Sequence, residues 1–517
     1  MSDENLTNSQ NLDGGEQVTS VLTEKPTINI LLYTDDPDTT EGSESFSLGT
    51  MIAHIKAHGP TFAKLCLKLI CRNSDEHTHT DNKLEAELIK DYDEIWFFGF
   101  HQSNRKKFTL GVLRGGSQSE LDKSEVLALK DWMRVEKNGG GVLMTGDHSQ
   151  EKPPDALPGE NELCPDDSAQ ENFLGLGRAI GRCVPRAGRL RRWKGEPTNN
   201  PKHSFNTQVE VHNIDVDSLQ LQIDAFPQRL ILRHFSEKGE PAPNGPPHPL
   251  FFYKKGEWIR VFPDHAHEGA IVLPDESEFR DREMWPEANG VQSKPQPVAY
   301  GIDERYCQIL PIVAVYNGDP VSVGRIVADS TWHHYLNINL TNFSSPAPER
   351  SDADQIGQYY GNLTLWLSPL NKRREMAYAM IRWVTNHRSM LEEIYNDPLT
   401  IGRTAYDILE QVTSPCEIHE LLQAIVPDDY GDQYETFYFP ERGFALSPLP
   451  SKELILGSIV DRYQREMIRV ESSEDLNEKL EVADIVATGF ERAFHEQAAR
   501  LAQVAAVAQN LIGIKSS

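Results

Sequence analysis

Short apolar runs alternate with amphipathic stretches over the first 150 residues, which is the order expected of strands and helices in an α/β protein. Apolar residues recur at helical spacing in 47–58 and in 119–137, and both stretches are predicted helices. The run at 94–100 is apolar on both alternating faces, so we expect it in the centre of a parallel sheet. The predicted strands are Ile28–Tyr33, Leu65–Cys71, Glu94–Phe100 and Val142–Thr145.

Several short sequences predict the turns and caps between these elements. Ser45 or Ser47 is expected to cap the first helix, and the glycines after Asn138 are expected to end the second. Asn317-Gly318 predicts a tight hairpin turn between strands at 308–315 and 323–328, because both residues tolerate positive φ. A second hairpin is predicted over 250–262, with its turn at Lys254-Lys255-Gly256-Glu257.

The pattern becomes helical beyond residue 354. The last predicted helix is rich in alanine and repeats apolar residues at helical intervals, which indicates either a packing helix or an interface with a second copy or a partner. The predicted helices are 356–367, 372–386, 400–412, 417–425, 452–470 and 482–512. We therefore expect a disordered segment over 1–26, an α/β domain over 27–390 with an insertion at about 150–300, and a mainly helical region over 391–517.

Charge and cysteine content limit the classes of function. The 517 residues carry a formal net charge of −27, which disfavours binding to nucleic acid or to an anionic membrane. No apolar run approaches the roughly 20 residues that span a bilayer, and the first 25 residues lack the features of a secretion signal. Six scattered cysteines without a CxxC pair favour a reducing compartment. We expect a cytoplasmic protein.

Three separated segments place Asp beside His directly after a strand-like run. In open α/β sheets, the residues just past the carboxyl ends of the strands bind ligands. Packing alone explains such a pattern poorly, since clustered unsatisfied polar groups cost stability. We therefore expect the three segments to meet in one site. The first segment is Asp147-His148, the second is Asp264-His265-Ala266-His267-Glu268, and the third is Asp329-Ser330-Thr331-Trp332-His333-His334.

The second segment is the candidate metal site. In an extended chain His265 and His267 point the same way and can bind one ion, such as zinc, while Asp264 and Glu268 bind it or orient a ring. The alternative is a polar strand end whose histidines bond to neighbours. A bound metal would supply hydroxide near neutral pH.

The third segment carries two adjacent histidines. Neighbouring side chains diverge, so we expect only one of His333 and His334 to face the site, where an Asp–His pair can act as a general base without metal. Trp332 is expected to pack rather than to stack on a ligand. The first segment follows a sharp strand-end turn of the kind that exposes nucleophiles, yet it holds Asp147 and His148 and no cysteine. Cysteine-dependent glutamine amidotransfer is therefore not expected.

The order of strand, helix, glycine-rich turn and strand ending in Gly146-Asp147-His148-Ser149 resembles the class I glutamine amidotransferase-like superfamily, especially its trehalose-utilisation (ThuA-like) branch. The run from Gly324-Arg325-Ile326-Val327 into the third segment is similar to that branch's late Gly-Arg-Val strand, which also leads to a histidine. The resemblance covers about 28–387. It implies a flavodoxin- or amidotransferase-like parallel sheet flanked by helices, and a small, sugar-like substrate. The second segment and the C-terminal region have no counterpart in it.

Two function hypotheses remain. The first is a hydrolase with an Asp- and His-rich, metal-assisted or metal-free site, whose catalytic candidates are Asp147, His148, Asp329, His333 and His334 and whose metal candidates are Asp264, His265, His267 and Glu268. The second is a non-enzymatic binding or assembly protein on an amidotransferase-like scaffold, which forms a homo-oligomer or binds a protein partner through its C-terminal helices.

Overall fold

A computed structural model gives the fold of the chain. The residues that it describes are 25–34, 39–72, 82–98, 123–145, 189–192, 228–235, 241–243, 245–263, 269–273, 278–280, 285–288, 290–303, 308–340, 350–387, 397–427, 450–471 and 482–515. Their contacts separate two compact units. The sheet unit comprises Thr27–Arg373 and Val412–Phe439, and the helical unit comprises Met1–Pro26, Arg374–Gln411 and Pro440–Ser517.

The sheet unit is built on an eight-stranded sheet, in which five neighbouring strands are parallel and the rest are antiparallel. In chain order the strands of this unit are β1 (Thr27–Thr34), β2 (Lys64–Cys71), β3 (Glu94–Phe98), β4 (Gly141–Thr145), β5 (Arg189–Arg192), β6 (Gln228–Arg229), β7 (Ile231–Leu232), β8 (Val261–Phe262), β9 (Gly269–Val272), β10 (Glu287–Ala288), β11 (Val291–Gln292), β12 (Gln296–Asp303), β13 (Gln308–Tyr316) and β14 (Ile326–Asp329). The large sheet has the order β2-β1-β3-β4-β14-β13-β12-β7, and three separate pairs are β5–β9, β6–β8 and β10–β11.

The described helices alternate with strands in the first half of the chain and follow one another in the second half. They are α1 (Gly49–His58), α2 (Ala86–Ile89), α3 (Lys123–Trp132), α4 (Asn337–Leu340), α5 (Arg350–Leu367), α6 (Leu370–Thr385), α7 (Pro398–Leu409), α8 (Pro415–Ala424), α9 (Lys452–Glu471) and α10 (Val482–Lys515). The chain is therefore a mixed α/β protein, which confirms the class predicted from the alternating pattern.

Strands β1, β3, β4 and β14 are almost continuously buried because both faces of this part of the sheet are covered, whereas the edge strand β2 alternates exposed and half-buried residues. Tyr33, Phe97 and Met144 pack with Leu129 and Trp132 on one side. The intervening strand residues are buried as well, and α5 contacts β4 and β14. All five residues of β3 are buried between β1 and β4, so its predicted central position is confirmed.

Two predictions about helix ends are wrong. Helix α3 ends at Trp132 rather than at 137, because the following backbone bonds to the segment before β14: Arg134 bridges Val323, and Val135 N donates to the Ser322 carbonyl. Val135, predicted to pack, is 47% exposed. Helix α1 has Leu48 at its N-cap position and no side-chain cap.

The pairing of β13 with β14 is antiparallel as predicted, but the turn between them is not the predicted tight Asn-Gly turn. Gly318 has a φ of −89°, and the connection runs through a short 3-10 turn at Asp319–Val321. Glycine is required at 318 for a different reason, since a Cβ there would lie 2.4 Å from the Val323 carbonyl oxygen. Close approach of the backbone, rather than positive φ, explains this residue.

The hairpin predicted over 250–262 is present only around its turn. Tyr253 N donates to the Glu257 carbonyl, and Gly256 has a positive φ of 72°. Phe252 and Trp258 form an isolated antiparallel bridge, whereas Pro249–Phe251 forms a 3-10 turn instead of a strand.

In the helical unit, α9 packs against both α7 and α10. Gly402 and Gly457 allow the first contact to be close, since a Cβ on either would meet backbone of the facing helix within 2 Å. The N-terminal half of α10 is anchored by buried Val486, Phe490 and Ala493. No helix in the described parts of the chain is both long and apolar enough to cross a membrane.

Glu94, at the start of β3, is a fully buried carboxyl group. Trp96 Nε1 donates to one of its oxygens, and Ser368 Oγ lies 2.9 Å from the other. The Ser368 hydroxyl, which donates to this oxygen, also lies 2.8 Å from the Thr364 carbonyl oxygen. Burial is the main reason that the pKa of Glu94 is raised well above 4.5.

A raised folded-state pKa means that the stabilising contribution of protonated Glu94 is complete below pH 4.5 and is lost as the pH rises toward the folded pKa. In the E94Q variant we expect the free energy of unfolding to lose this pH dependence, which amounts to about 1.4 kcal/mol per pH unit. Urea denaturation at several pH values measures it. E87Q, at a residue whose side chain is 82% exposed, is the control. Equal slopes for E94Q and the wild type would contradict the raised pKa of Glu94.

Candidate functional site

Asp329 is the last residue of β14 and is fully buried. His334 Nδ1 lies 2.7 Å from its Oδ1, and the Tyr335 hydroxyl donates to its Oδ2 at 2.8 Å. Both carboxylate oxygens therefore have a side-chain partner. A buried carboxylate requires such partners, because desolvation of an unpaired charge costs several kcal/mol.

The residues after β14 fold back on Asp329 through a short turn. The side chain of Thr331 accepts a hydrogen bond from His333 N at 3.2 Å and so caps the 3-10 turn Trp332–Tyr335. This turn places the fifth and sixth residues after Asp329 beside its carboxylate. The third Asp–His segment is thus a closed local structure whose geometry follows from one cap and one short turn.

The two adjacent histidines have different neighbours. His334 pairs with Asp329, whereas the His333 ring lies 6.2 Å from the Phe46 ring and 5.3 Å from the Trp332 ring. Trp332 is 5% exposed and packs in the same aromatic group. Of the two histidines, His334 is the one that belongs to the Asp329 site.

Aromatic residues from three other elements surround the pair. The Phe262 ring of β8 lies 5.0 Å from the His334 ring, and the Phe98 ring of β3 lies 5.3 Å from the Tyr335 ring. From α5, the Tyr360 hydroxyl donates to the backbone carbonyl of His334 at 2.6 Å. The site is thus held by β3, β8, β14 and α5 together.

Three tyrosines keep their hydroxyl protons in this surrounding. Burial, and after it the negative charge of Asp329, raises the pKa of Tyr335, Tyr359 and Tyr360 well above 10. Tyr335 and Tyr360 therefore serve as hydrogen-bond donors across the physiological pH range.

The hydrogen bond to Asp329 determines which nitrogen of His334 is basic. An ionised carboxylate only accepts, so in the neutral ring Nδ1 carries the hydrogen and Nε2 carries the lone pair. This is the arrangement in which a carboxylate orients an imidazole as a general base and stabilises the imidazolium that forms. The geometry can therefore support proton abstraction at Nε2.

The remaining predicted site residues, Asp147, His148, Asp264, His265, His267 and Glu268, lie outside the described residues. The strands that lead into the first two segments are described, and both end beside the third. Thr145, two residues before Asp147, is paired with Asp329 across β4 and β14. Phe262, two residues before Asp264, contacts His334.

No group of three or more His, Cys, Asp or Glu side chains in the described parts of the chain is arranged to hold a metal ion. The four metal candidates of the second segment are not among those residues. The metal therefore stays a sequence-based prediction.

Sequence reasoning missed the tyrosines of the site. Tyr335 could have been found, because it directly follows His334. Tyr359 and Tyr360 lie in a predicted helix, where tyrosines are ordinarily packing residues. Only the contact of α5 with β14 shows that the Tyr360 hydroxyl meets the His334 carbonyl.

Comparison of the sequence with profiles of known protein families, with characterised proteins and with solved structures finds no match. The function is therefore argued from the geometry of the site.

Proposed function

We propose that this chain is a hydrolase in which Asp329 and His334 form a general-base pair. The observation that carries the proposal is the 2.7 Å contact between His334 Nδ1 and Asp329 Oδ1 at the carboxyl end of β14. His334 Nε2 takes a proton from water as the water attacks an electrophilic centre, and Asp329 stabilises the resulting imidazolium. Tyr335 keeps the carboxylate in place through its second oxygen.

The position of the pair in the sheet supports this role. It lies where parallel strands end, which is where ligands bind in open α/β sheets. The parallel strands have the spatial order β2-β1-β3-β4-β14, which is the 2-1-3-4-5 order of flavodoxin-like sheets. We propose on this ground that the parallel part is flavodoxin- or amidotransferase-like, extended by antiparallel β13, β12 and β7. The resemblance to the ThuA-like branch is the reason for proposing a small, sugar-like substrate.

Water is the proposed nucleophile because the described cysteines are poorly placed. Cys66 and Cys71 lie on β2, at the edge of the sheet, and Cys416 lies on α8. Burial raises the pKa of the Cys416 thiol well above 9, which suppresses the thiolate that a nucleophile requires.

The proposed site extends to the other two Asp–His segments. Asp147 and His148 would orient water or substrate, since they follow β4, the parallel neighbour of β14. Asp264, His265, His267 and Glu268 would hold a divalent ion such as zinc, which when bound lowers the pKa of a coordinated water.

Hydrolysis of a panel of chromogenic esters, amides, phosphoesters and glycosides tests the general-base pair. We expect the H334Q variant to lose about 100-fold or more of whichever activity the wild type shows, because general-base catalysis contributes about 10²–10⁴-fold. D329N should lose activity similarly, since an amide neither fixes the tautomer nor stabilises the imidazolium.

H333Q is the matched control, because His333 is an adjacent, equally buried histidine that does not pair with Asp329. Thermal denaturation of all variants separates lost catalysis from lost folding. Full activity in folded H334Q would overturn the proposal, and so would an equal loss in H333Q.

Metal analysis of the purified protein tests the extension to the second segment. We expect about one divalent ion per chain, lost in a variant carrying both H265A and H267A, since imidazole pairs of this spacing supply two of the ligands that zinc needs. A chelator should lower the activity of the wild type. Absence of stoichiometric metal in active wild-type protein would remove the metal and leave the general-base pair.

A second candidate function, assembly through the C-terminal end of α10, has one observation in its favour. Val504 and Val507 are 42% and 58% exposed, and residues 501–514 contain no charged side chain. An uncharged apolar helix end is unusual on the surface of a chain with a net charge of −27.

Deletion of 501–517 leaves the part of α10 that holds the buried residues Phe490 and Ala493, so the truncated chain is expected to fold. If this end mediates assembly, the truncation and a V504E/V507E variant become monomeric in light scattering. Q503E/Q509E, with the same added charge at polar positions of the same helix, should behave as the wild type. A monomeric wild type would exclude self-assembly.

A further inference from the structure

Helices α1 and α5 of the sheet unit pack against each other at a contact that contains two histidines. His54 and His58 lie one turn apart on α1, with ring centroids 5.9 Å apart. Both face Gly357 of α5, where a Cβ would lie 2.6 Å from His54 Nδ1 and 2.6 Å from His58 Cδ2. At Gly361 a Cβ would lie 2.0 Å from the His58 carbonyl oxygen. The two half-buried imidazoles thus lie at the contact between the helices, against the side-chain-free position of Gly357.

The charges around this pair are few. On α5, Asp354 acts on both histidines, and Gln358 hydrogen-bonds to His58. Tyr360 contacts the His54 ring. Helix α4, which also packs against α1, carries no titratable side chain. On α1 itself, Lys56 is exposed. Among the described residues, Asp354 is therefore the carboxylate that acts on both neighbouring imidazoles.

Both histidines favour the neutral form in the folded chain. Burial, and next the charge on His58, lowers the pKa of His54 below 6.5, and burial lowers the pKa of His58 despite the opposing effect of Asp354. A depressed folded-state pKa means that the contact is fully stable above about pH 6.5 and loses stability as the pH falls through the folded pKa.

One residue connects this contact to the candidate site. The Tyr360 ring lies 6.2 Å from the His54 ring, and its hydroxyl donates to the backbone carbonyl of His334. The Tyr335 ring, which belongs to the Asp329 site, lies 5.3 Å from the Tyr360 ring. A change in the α1–α5 contact therefore reaches His334 through a single side chain.

We propose that His54 and His58 form a proton-sensing pair, which loosens the α1–α5 contact at acidic pH and withdraws Tyr360 from His334. Two imidazolium ions at this distance repel each other, and one carboxylate balances only one of them. The helices separate enough to hydrate the rings. Only the consequence for hydrolysis rests on the proposed function; the opening of the contact does not.

Hydrogen exchange measured by mass spectrometry on the full chain, between about pH 7.5 and pH 5.5, tests the proposal. After correction for the intrinsic pH dependence of exchange, we expect 49–58 and 350–367 to exchange faster at acidic pH in the wild type. Each proton taken up on opening raises the opening equilibrium by up to about tenfold per pH unit. The buffer contains a chelator, so that metal bound by paired histidines does not contribute.

The H54Q/H58Q variant should lose this pH dependence of exchange. The H58Q variant should show a smaller pH dependence than the wild type, and it replaces the double variant if that variant does not fold. H495Q, which changes an exposed helical histidine of the helical unit, should behave as the wild type. In Y360F the two helices should still open at acidic pH, while 330–337 no longer follows them. Unchanged pH dependence in H54Q/H58Q would overturn the sensor, whatever H334Q does to activity.

Discussion

Strand β14 carries a buried charge at each end, and each charge is stable only with compensating neighbours. Arg325, just before the strand, bonds to Asp319 at 2.8 Å and to Glu420 at 2.5 Å, and its guanidinium lies over the Trp366 ring. Asp329, at the other end, is met by His334 and Tyr335. β14 joins the parallel and the antiparallel parts of the sheet. The partners that its two buried charges require therefore attach α8, α5 and the 3-10 turn Trp332–Tyr335 to the middle of the sheet.

The two ends of β14 differ in the chemistry that their partners allow. Arg325 belongs to a closed group with Asp319, Glu420 and Arg373, in which two cations face two carboxylates. Burial by itself would raise the pKa of Asp319, but the guanidinium charges of Arg325 and Arg373 outweigh it and lower the pKa, so Asp319 stays ionised and stabilises the fold. Asp329 is paired with an imidazole, whose second nitrogen can accept a proton. This end of the strand is therefore suited to proton transfer.

The sequence was most informative where one local property decides the structure. Apolar runs identified β1, β3 and β4, alternation identified β2, and helical spacing identified α5 and α7. The predicted end of α3 failed because backbone from a distant segment competes with the local preference: Val323 pairs with Arg134. The predicted Asn-Gly turn failed because the Val323 carbonyl approaches Gly318 closely, so that glycine is required there for steric reasons. Of the site, the sequence indicated Asp329 and one of His333 and His334, but not Tyr360, because an amphipathic helix pattern does not show which buried hydroxyl meets which carbonyl.

By itself the sequence determined the α/β class, the places where strands end, and the accumulation of Asp and His at those places. The spacing of apolar residues and the polar residues that interrupt it are local properties of the chain. Only the tertiary structure decided that His334 rather than His333 pairs with Asp329, that the strands before the other two segments end beside this pair, and that His54 reaches it through Tyr360. The longest of these contacts joins His54 and Tyr360, which are more than 300 positions apart. These contacts depend on strand order and helix packing, which no single stretch of sequence contains.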